Sequence, residues 1–266
     1  MRGRLLLALL LLTPTAQATP GRHARQIQTL QTTVKQQPAK ALRYRFVLAG
    51  DNRDGNTVFQ QILTQASAHQ PAFMLHSGDF VPLGRKAEYH QLLTLLDQAR
   101  FPVFLAMGNH DAYQGGERWY RTFLGSPDDY FDYGPDRFVL LNNAEGQLTA
   151  AQLQWLDRIL SAPRRYRFVV MHHPPRSLIW FHAFAQGAAE LRKIVIKHRV
   201  QAVLMGHMHI YDSYTDQGVR WIVSGGAGAP LYRMPLYFSA EGGAYPHFVV
   251  FEVTPRGVRE SVVRLR

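Results

Sequence analysis

Five short polar segments of this chain could do chemistry together. They are Gly50-Asp51-Asn52-Arg53, Gly78-Asp79-Phe80, Gly108-Asn109-His110-Asp111, His172-His173-Pro174-Pro175 and Gly206-His207-Met208-His209, and each follows an apolar run. They supply carboxylates, an amide and several imidazoles, but no thiolate, because the chain has no cysteine. Disulfide frameworks, iron–sulfur clusters, thiolate metal sites and cysteine nucleophiles are therefore excluded. Hard oxygen donors combined with imidazoles suit Mn, Fe, Zn, Ni or Co better than Ca or Cu(I). A carboxylate such as Asp79 can bridge two ions about 3.5–4 Å apart, the spacing that clamps both oxygens of an in-line phosphoryl displacement. His207 and His209, one residue apart in an extended segment, face the same side, so each can serve one ion. Water held between two cations becomes hydroxide near neutral pH.

Elements that could carry these segments are legible around them. Strands are predicted over Tyr44 to Ala49, Ala72 to His76, Phe101 to Met107, Phe138 to Asn142, Arg167 to Met171 and Val200 to Met205. Between them, helical patterns cover Thr57 to Ser67 and Lys86 to Gln98, and a third runs from the cap Thr149 to about Leu160. The last third reads as consecutive strands, Trp221 to Ser224, Phe248 to Val253 and Val258 to Leu265. Alternation first and adjacent strands later predict an α/β (α+β) domain, a four-layer αββα sandwich with two mixed β-sheets flanked by helices. In open α/β sheets ligands sit beyond the carboxyl ends of the strands, where all five polar segments fall. A glycine before the polar residue permits a tight turn and close approach to an ion.

The five segments, in this order and from about Arg45 to Gly228, resemble the calcineurin-like metallophosphoesterase family, the superfamily of purple acid phosphatases and cyclic nucleotide phosphodiesterases. The resemblance implies two divalent or iron ions, with Mn, Fe or Zn expected. Asp51 and His209 would hold the first, Asp79 would bridge, and Asn109, His172 and His207 would hold the second. His172 is chosen over His173 because the first histidine of an HHP segment is usually the family's ligand. His110 would stand outside the metal shell as general acid, oriented by Asp111. The implied activity is hydrolysis of phosphate mono- or diesters by attack of a hydroxide held between the ions.

One position departs from the family. Its first motif normally reads Asp-x-His, and here the third position is Arg53. A guanidinium has no lone pair to give a metal, so the first site loses a ligand and becomes weaker or more open. Family members lacking this histidine recruit a tyrosine three residues after the bridging Asp, and that position is Pro82. Arg53 is expected to grip a substrate phosphate through its fork of donors. Pairing with Asp54 or Asp111 is the plain alternative.

The 266 residues carry 30 Lys and Arg against 19 Asp and Glu, a formal charge of +11. The basic residues are scattered, which reads as a solvated basic surface rather than a polyanion stripe, so nucleic acid is not the favoured partner. A small-molecule or envelope phosphoester is expected instead. Residues 1–18 read as a signal peptide: Arg2 and Arg4, an apolar run from Leu5 to Leu12, and Ala16-Gln17-Ala18 with a cut after Ala18. The apolar run is too short to span a membrane, and a periplasmic or secreted protein is expected. Residues 19–42 read as a flexible arm and 43–266 as the folded domain.

Other features take plainer readings. His76 and His247 are expected in the core, and His23, His69, His90 and His198 on exposed ground. His182 is read as a surface-loop residue that could also line the pocket mouth. Trp180, Phe181 and Phe184 are either a lip for a leaving group or loop anchors. Gly225-Gly226-Ala227-Gly228 is read as a tight turn beside the metals. Two rival functions stay open, a nuclease and a non-catalytic phosphate-binding protein whose first metal site has emptied.

Overall fold

A computed structural model describes residues 21–34, 41–177, 179–180, 182–234 and 236–265. The expected signal peptide, residues 1–18, lies outside them, as do residues 35–40 of the expected arm. In chain order the elements are α1 (Arg22–Val34), β1 (Tyr44–Ala49), α2 (Asn56–Ser67), β2 (Phe73–His76), α3 (Lys86–Leu96), β3 (Val103–Leu105), α4 (Asn109–Ala112), α5 (Glu117–Phe123), β4 (Asp129–Tyr133) and β5 (Asp136–Leu140). There follow α6 (Ala150–Leu160), β6 (Arg167–Val170), α7 (Ala188–Lys197), β7 (Ala202–Met205), β8 (Tyr211–Asp216), β9 (Val219–Ser224), β10 (His247–Thr254) and β11 (Gly257–Arg264).

Among the described residues these strands form two mixed sheets, ordered β11-β10-β1-β2-β3 and β4-β5-β6-β7-β9-β8. In the first, β1, β2 and β3 run parallel, and β10 joins β1 antiparallel. In the second, β5, β6, β7 and β9 are parallel, with β4 and β8 antiparallel at the edges. Strands buried on both faces read as unbroken apolar runs, and β1 shows why. Its Phe46 and Leu48 face the second sheet, while Val47 and Ala49 pack under the outer helices. The space between the sheets is filled by aromatic rings. Phe46 meets Phe168 at 5.1 Å and Phe73 meets Phe138 at 4.9 Å, both edge to face, the arrangement that ring quadrupoles favour. The architecture is the expected αββα sandwich, with helices outside two packed sheets. No helix among the described residues is long and apolar enough to cross a membrane.

The N-terminal stretch differs from expectation. Residues 22–34 are not a loose arm but helix α1, and its His23 and Leu30 are buried. The reason lies in β3, an edge strand whose outward amides lack a neighbouring strand. His23 Nε2 accepts from the Leu105 N–H at 3.2 Å, and the ring packs against Phe104 and Tyr120. Composition showed few apolar anchors there because the main anchor is an imidazole used as an apolar, hydrogen-bonding plug.

Burial, reinforced by the charge of Arg22, lowers the His23 pKa to about 3. The unfolded chain binds a proton on this residue below its ordinary 6.5. The folded chain resists until far lower pH, so His23 contributes stability fully above about pH 6.5, and that stability is lost as pH falls toward 3. Urea denaturation between pH 7 and 4 should show a steeper loss for the wild type than for His23→Gln, by up to about 1.4 kcal/mol per pH unit. Equal slopes would mean that His23 takes its proton without leaving its place.

Candidate metal centre

The five polar segments meet where the carboxyl ends of β1, β2, β3, β6 and β7 converge. The turns that bring them there are tight: Asp51, Asp79 and His207 have φ of 62°, 55° and 67°. Left-handed backbone costs a non-glycine residue about 1–2 kcal/mol, and residues held there cluster at functional sites. The glycines explain how the loops can approach so closely. Gly78 is itself left-handed at φ 97°, and a Cβ on Gly108 would stand 2.3 Å from Asp79 Oδ1.

The imidazoles are oriented by backbone carbonyls. His172 Nδ1 donates to Ser77 O at 2.8 Å and His209 Nδ1 to Pro230 O at 2.6 Å. Each therefore turns an Nε2 lone pair into the site, the way metal-ligating histidines are commonly held. His172 Nε2 faces Asn109 Oδ1 at 3.0 Å, His207 Nδ1 at 3.3 Å and Asp79 Oδ1 at 3.4 Å. His207 Nδ1 is 3.1 Å from the same Asn109 oxygen. Beside them, His209 Nε2 faces Asp51 Oδ1 at 3.5 Å. Without a cation, a proton on His172 Nε2 bridges to the oxygens of Asp79 and Asn109, and a bound cation would take that proton's place. The donor set fits divalent ions.

Local charge agrees. Burial, with Asp79 adding to it, raises the Asp51 carboxyl to about 8. Burial opposes charge on His172, but Asp79 and Asp51 outweigh it and raise its pKa to about 9. Asp79 is itself pulled below the ordinary carboxylate range, because His172 and His110 overcome its burial. His209 is lowered to about 4, chiefly by burial, and so stays neutral with its lone pair available. The protein's own groups thus leave the buried Asp51 carboxyl short of positive charge.

Around this centre one expectation changes, and Arg53 takes the pairing with Asp54 that was its plain alternative. Asp111 does not orient His110. Its buried carboxylate accepts the N–H groups of Asp79, Phe80, Val81 and Gly108 at 2.7–3.0 Å, joining the Gly-Asp and Gly-Asn loops. His110 is oriented instead by Pro82 O, 2.6 Å from its Nδ1, and its Nε2 lies 4.0 Å from Asp79 Oδ2. Arg53 is paired with Asp54, yet its Nε is buried without a hydrogen-bond partner, 3.9 Å from Asp79 Oδ2. The guanidinium thus stands at the edge of the centre, with one donor unspent.

Residues 23–211 match the model of the calcineurin-like phosphoesterase family. The chain belongs to that family. It is 34% identical over 122 residues to glycerophosphodiester phosphodiesterase GpdQ of Enterobacter lignolyticus, covering 41% of this chain and 44% of that one. It is 29% identical over 150 residues to a protein of Synechococcus sp. named "Probable cyclic nucleotide phosphodiesterase", covering 52% and 58%. The matches thus span about half the length of these relatives. Purple acid phosphatase PPD1 from yellow lupin (Lupinus luteus) seeds shares the fold, with a TM-score of 0.72 at 14% identity over 86% of this chain and 52% of that one.

Sequence reasoning missed several supports of the site. Asn143 brackets the His172-His173 loop: its Oδ1 accepts both backbone N–H groups, at 2.9 and 3.0 Å, and its Nδ2 donates to His173 O at 2.8 Å. Its position just past β5, among the other loop ends, was the available signal. His173 lies nearer the centre than expected, its ring 4.0 Å from that of His207, with a nitrogen close enough to join His172 and His207 around an ion. The Pro82 and Pro230 carbonyls carry no side-chain signature at all. As expected, the 225–228 turn lies beside the centre, where Ala227 N and Ala229 N donate to Gly50 O and Asp51 O. His76 and His247 are buried as expected; among the histidines read as exposed, His23 is buried and the His198 side chain is largely covered, against Asp157.

Arg53 sets a test of the first site. Losing even an outer partner changes metal affinity about 10–100-fold, so supplying a direct ligand should do at least as much. In calorimetric titration with Mn2+, Arg53→His should tighten the weaker binding step by about tenfold or more. Unchanged affinities would show that the guanidinium does not limit this site.

Proposed function

We propose that this chain is a metal-dependent phosphoesterase that hydrolyses phosphate mono- or diesters. The single observation that carries the reading is the set of inward lone pairs from His172, His207, His209, Asn109, Asp51 and Asp79, with His110 just outside it. Asp51, His209 and the shared Asp79 would hold one ion, and Asn109, His172, His207 and Asp79 a second. When bound, such ions polarise phosphoryl oxygens and make water acidic enough to attack near neutral pH.

The remaining steps belong to the protein. Pro82 O accepts from His110 Nδ1–H whether or not the ring is charged, which leaves Nε2 to carry the mobile proton. As water adds to phosphorus and the bond to the leaving oxygen breaks, Nε2–H delivers its proton to that oxygen. The free Nε–H of Arg53 faces the same space and is suited to a non-bridging phosphate oxygen. Its ion pair with Asp54 fixes the guanidinium in place without occupying that donor.

Neither rival function gains support. A binding protein needs no proton donor, yet His110 is held in a donor's position. A nuclease needs cationic surface leading into the site. The hollow lined by Arg43, Arg256 and Arg259, about 460 Å3, lies at the start of β1, a strand's length of about 20 Å from the site. Export is part of the proposal, supported by the basic, apolar and Ala-Gln-Ala succession at 1–18. Mass measurement of chain recovered from the cell envelope or medium should begin at Thr19; recovery of full-length chain in the cytosol alone would exclude it.

His110→Ala tests the mechanism. With an alkyl leaving group kcat should fall about 10²–10⁴-fold. With p-nitrophenolate, which leaves without a proton, the loss should be far smaller, and Mn2+ affinity should not change. Equal losses for both leaving groups would remove His110 from the general-acid role.

A further inference from the structure

We infer that the phosphoesters cleaved here are amphiphilic, and that the side chains of Tyr232, Leu236 and Phe238 receive their apolar group. The inference rests on the phosphoesterase reading of the adjoining site.

Single exposed apolar side chains are ordinary on protein surfaces, and clusters are not. Among the described residues five large hydrophobic side chains stand exposed, and three fall within seven positions: Tyr232 at 37%, Leu236 at 65% and Phe238 at 39%. The cluster begins at the metal centre itself. The Tyr232 ring stacks on His209, with centroids 4.3 Å apart and planes 25° apart, and its N–H donates to His209 O at 3.1 Å. Both ends of the cluster border the loop that carries Trp180 and His182. The Tyr232 ring is 6.1 Å from His182, and Phe238 is 5.3 Å from Trp180, two residues earlier on the same loop.

A buried anion holds this rim in shape. Asp212 accepts from Phe238 N, Ser239 N, Trp180 Nε1 and Ser213 N at 2.8–3.0 Å. One carboxylate thus ties the 180 loop and the 238 loop to β8. Of Trp180, Phe181 and Phe184, the lip considered from sequence, Phe181 lies outside the described residues, and Trp180 and Phe184 are loop anchors packed in the core. The surface they support is the 232–238 segment, which also presents the exposed cation Arg233. A phosphodiester with its phosphorus at the metal centre and a long alkyl group on one ester oxygen would lay that group across Tyr232 toward Leu236 and Phe238. Hydrolysis would break one P–O bond, place the hydroxyl of water on phosphorus and a proton on the departing alcohol. The products are a phosphomonoester and that alcohol.

The test is binding and turnover by the full chain loaded with Mn2+. Methyl and octyl phosphate are compared by calorimetry, and p-nitrophenyl methyl and octyl phosphodiesters, below their micelle concentrations, by rate. Each fully buried methylene is worth about fourfold, so even partial contact predicts about tenfold or more tighter binding of octyl phosphate, with a matching fall in KM. Leu236→Ser combined with Phe238→Ser should erase most of that preference while leaving methyl-ester turnover unchanged. Equal affinity for both phosphates, or a preference for a nucleoside phosphate over octyl phosphate, would overturn the inference. An octyl preference in binding, without turnover of either diester or of octyl phosphate, would keep the apolar subsite and overturn the phosphoesterase reading and cleavage with it.

Discussion

The metal centre depends on the carboxylate of Asp111. Parallel strands β2 and β3 end side by side, and both must turn sharply to present Asp79 and Asn109 to one point. Beyond the ends of the strands their amides lose ladder partners, and an unpaired buried N–H costs about 1–3 kcal/mol. Asp111 takes four such groups on two oxygens and so fuses the two turns into one rigid piece. The Tyr89 hydroxyl donates to the Asp111 carbonyl at 2.9 Å and pins the same residue to α3. Without this join, Asp79 and Asn109 would sit on independent loops, and the fit of their oxygens to His172 would be lost.

A second regularity follows the first. Four of the five imidazoles at the site lean on a backbone carbonyl, His172 on Ser77, His110 on Pro82, His173 on Asn143 and His209 on Pro230, and His207 alone faces side chains. Carbonyls carry no net charge, so they select a tautomer without adding a formal charge to the site. Charge is left to side chains such as Asp51, Asp79 and Arg53. The orienting partners are as rigid as the fold, whereas side-chain partners would have to be positioned in their turn.

These two features mark the boundary of what could be read in the sequence. The αββα layering was legible because buried strands such as Tyr44 to Ala49 are near-continuous apolar runs, and because the polar segments follow them directly. The gathering of Asp51, Asp79, Asn109, His172, His207 and His209 at one end was legible for the same reason. The work of Asp111 was not, since adjacency to His110 suggested a side-chain partner and the true partners are amides, one of them 32 positions away. Strands β4 and β8, short and rich in polar residues, carry too little alternation to stand out. Helix α1 was hidden because its anchoring residue is a histidine.

That helix also bears on the behaviour of the protein in a crowded solution. α1 lies against β3 and β4, the outer strands of the two sheets. An uncovered β3 would offer free amides and carbonyls to any extended chain, including another copy of itself. Seated there, α1 acts as a stopper against intermolecular strand addition. Because its seat relies on an uncharged imidazole, that stopper is held by a buried contact that acid weakens.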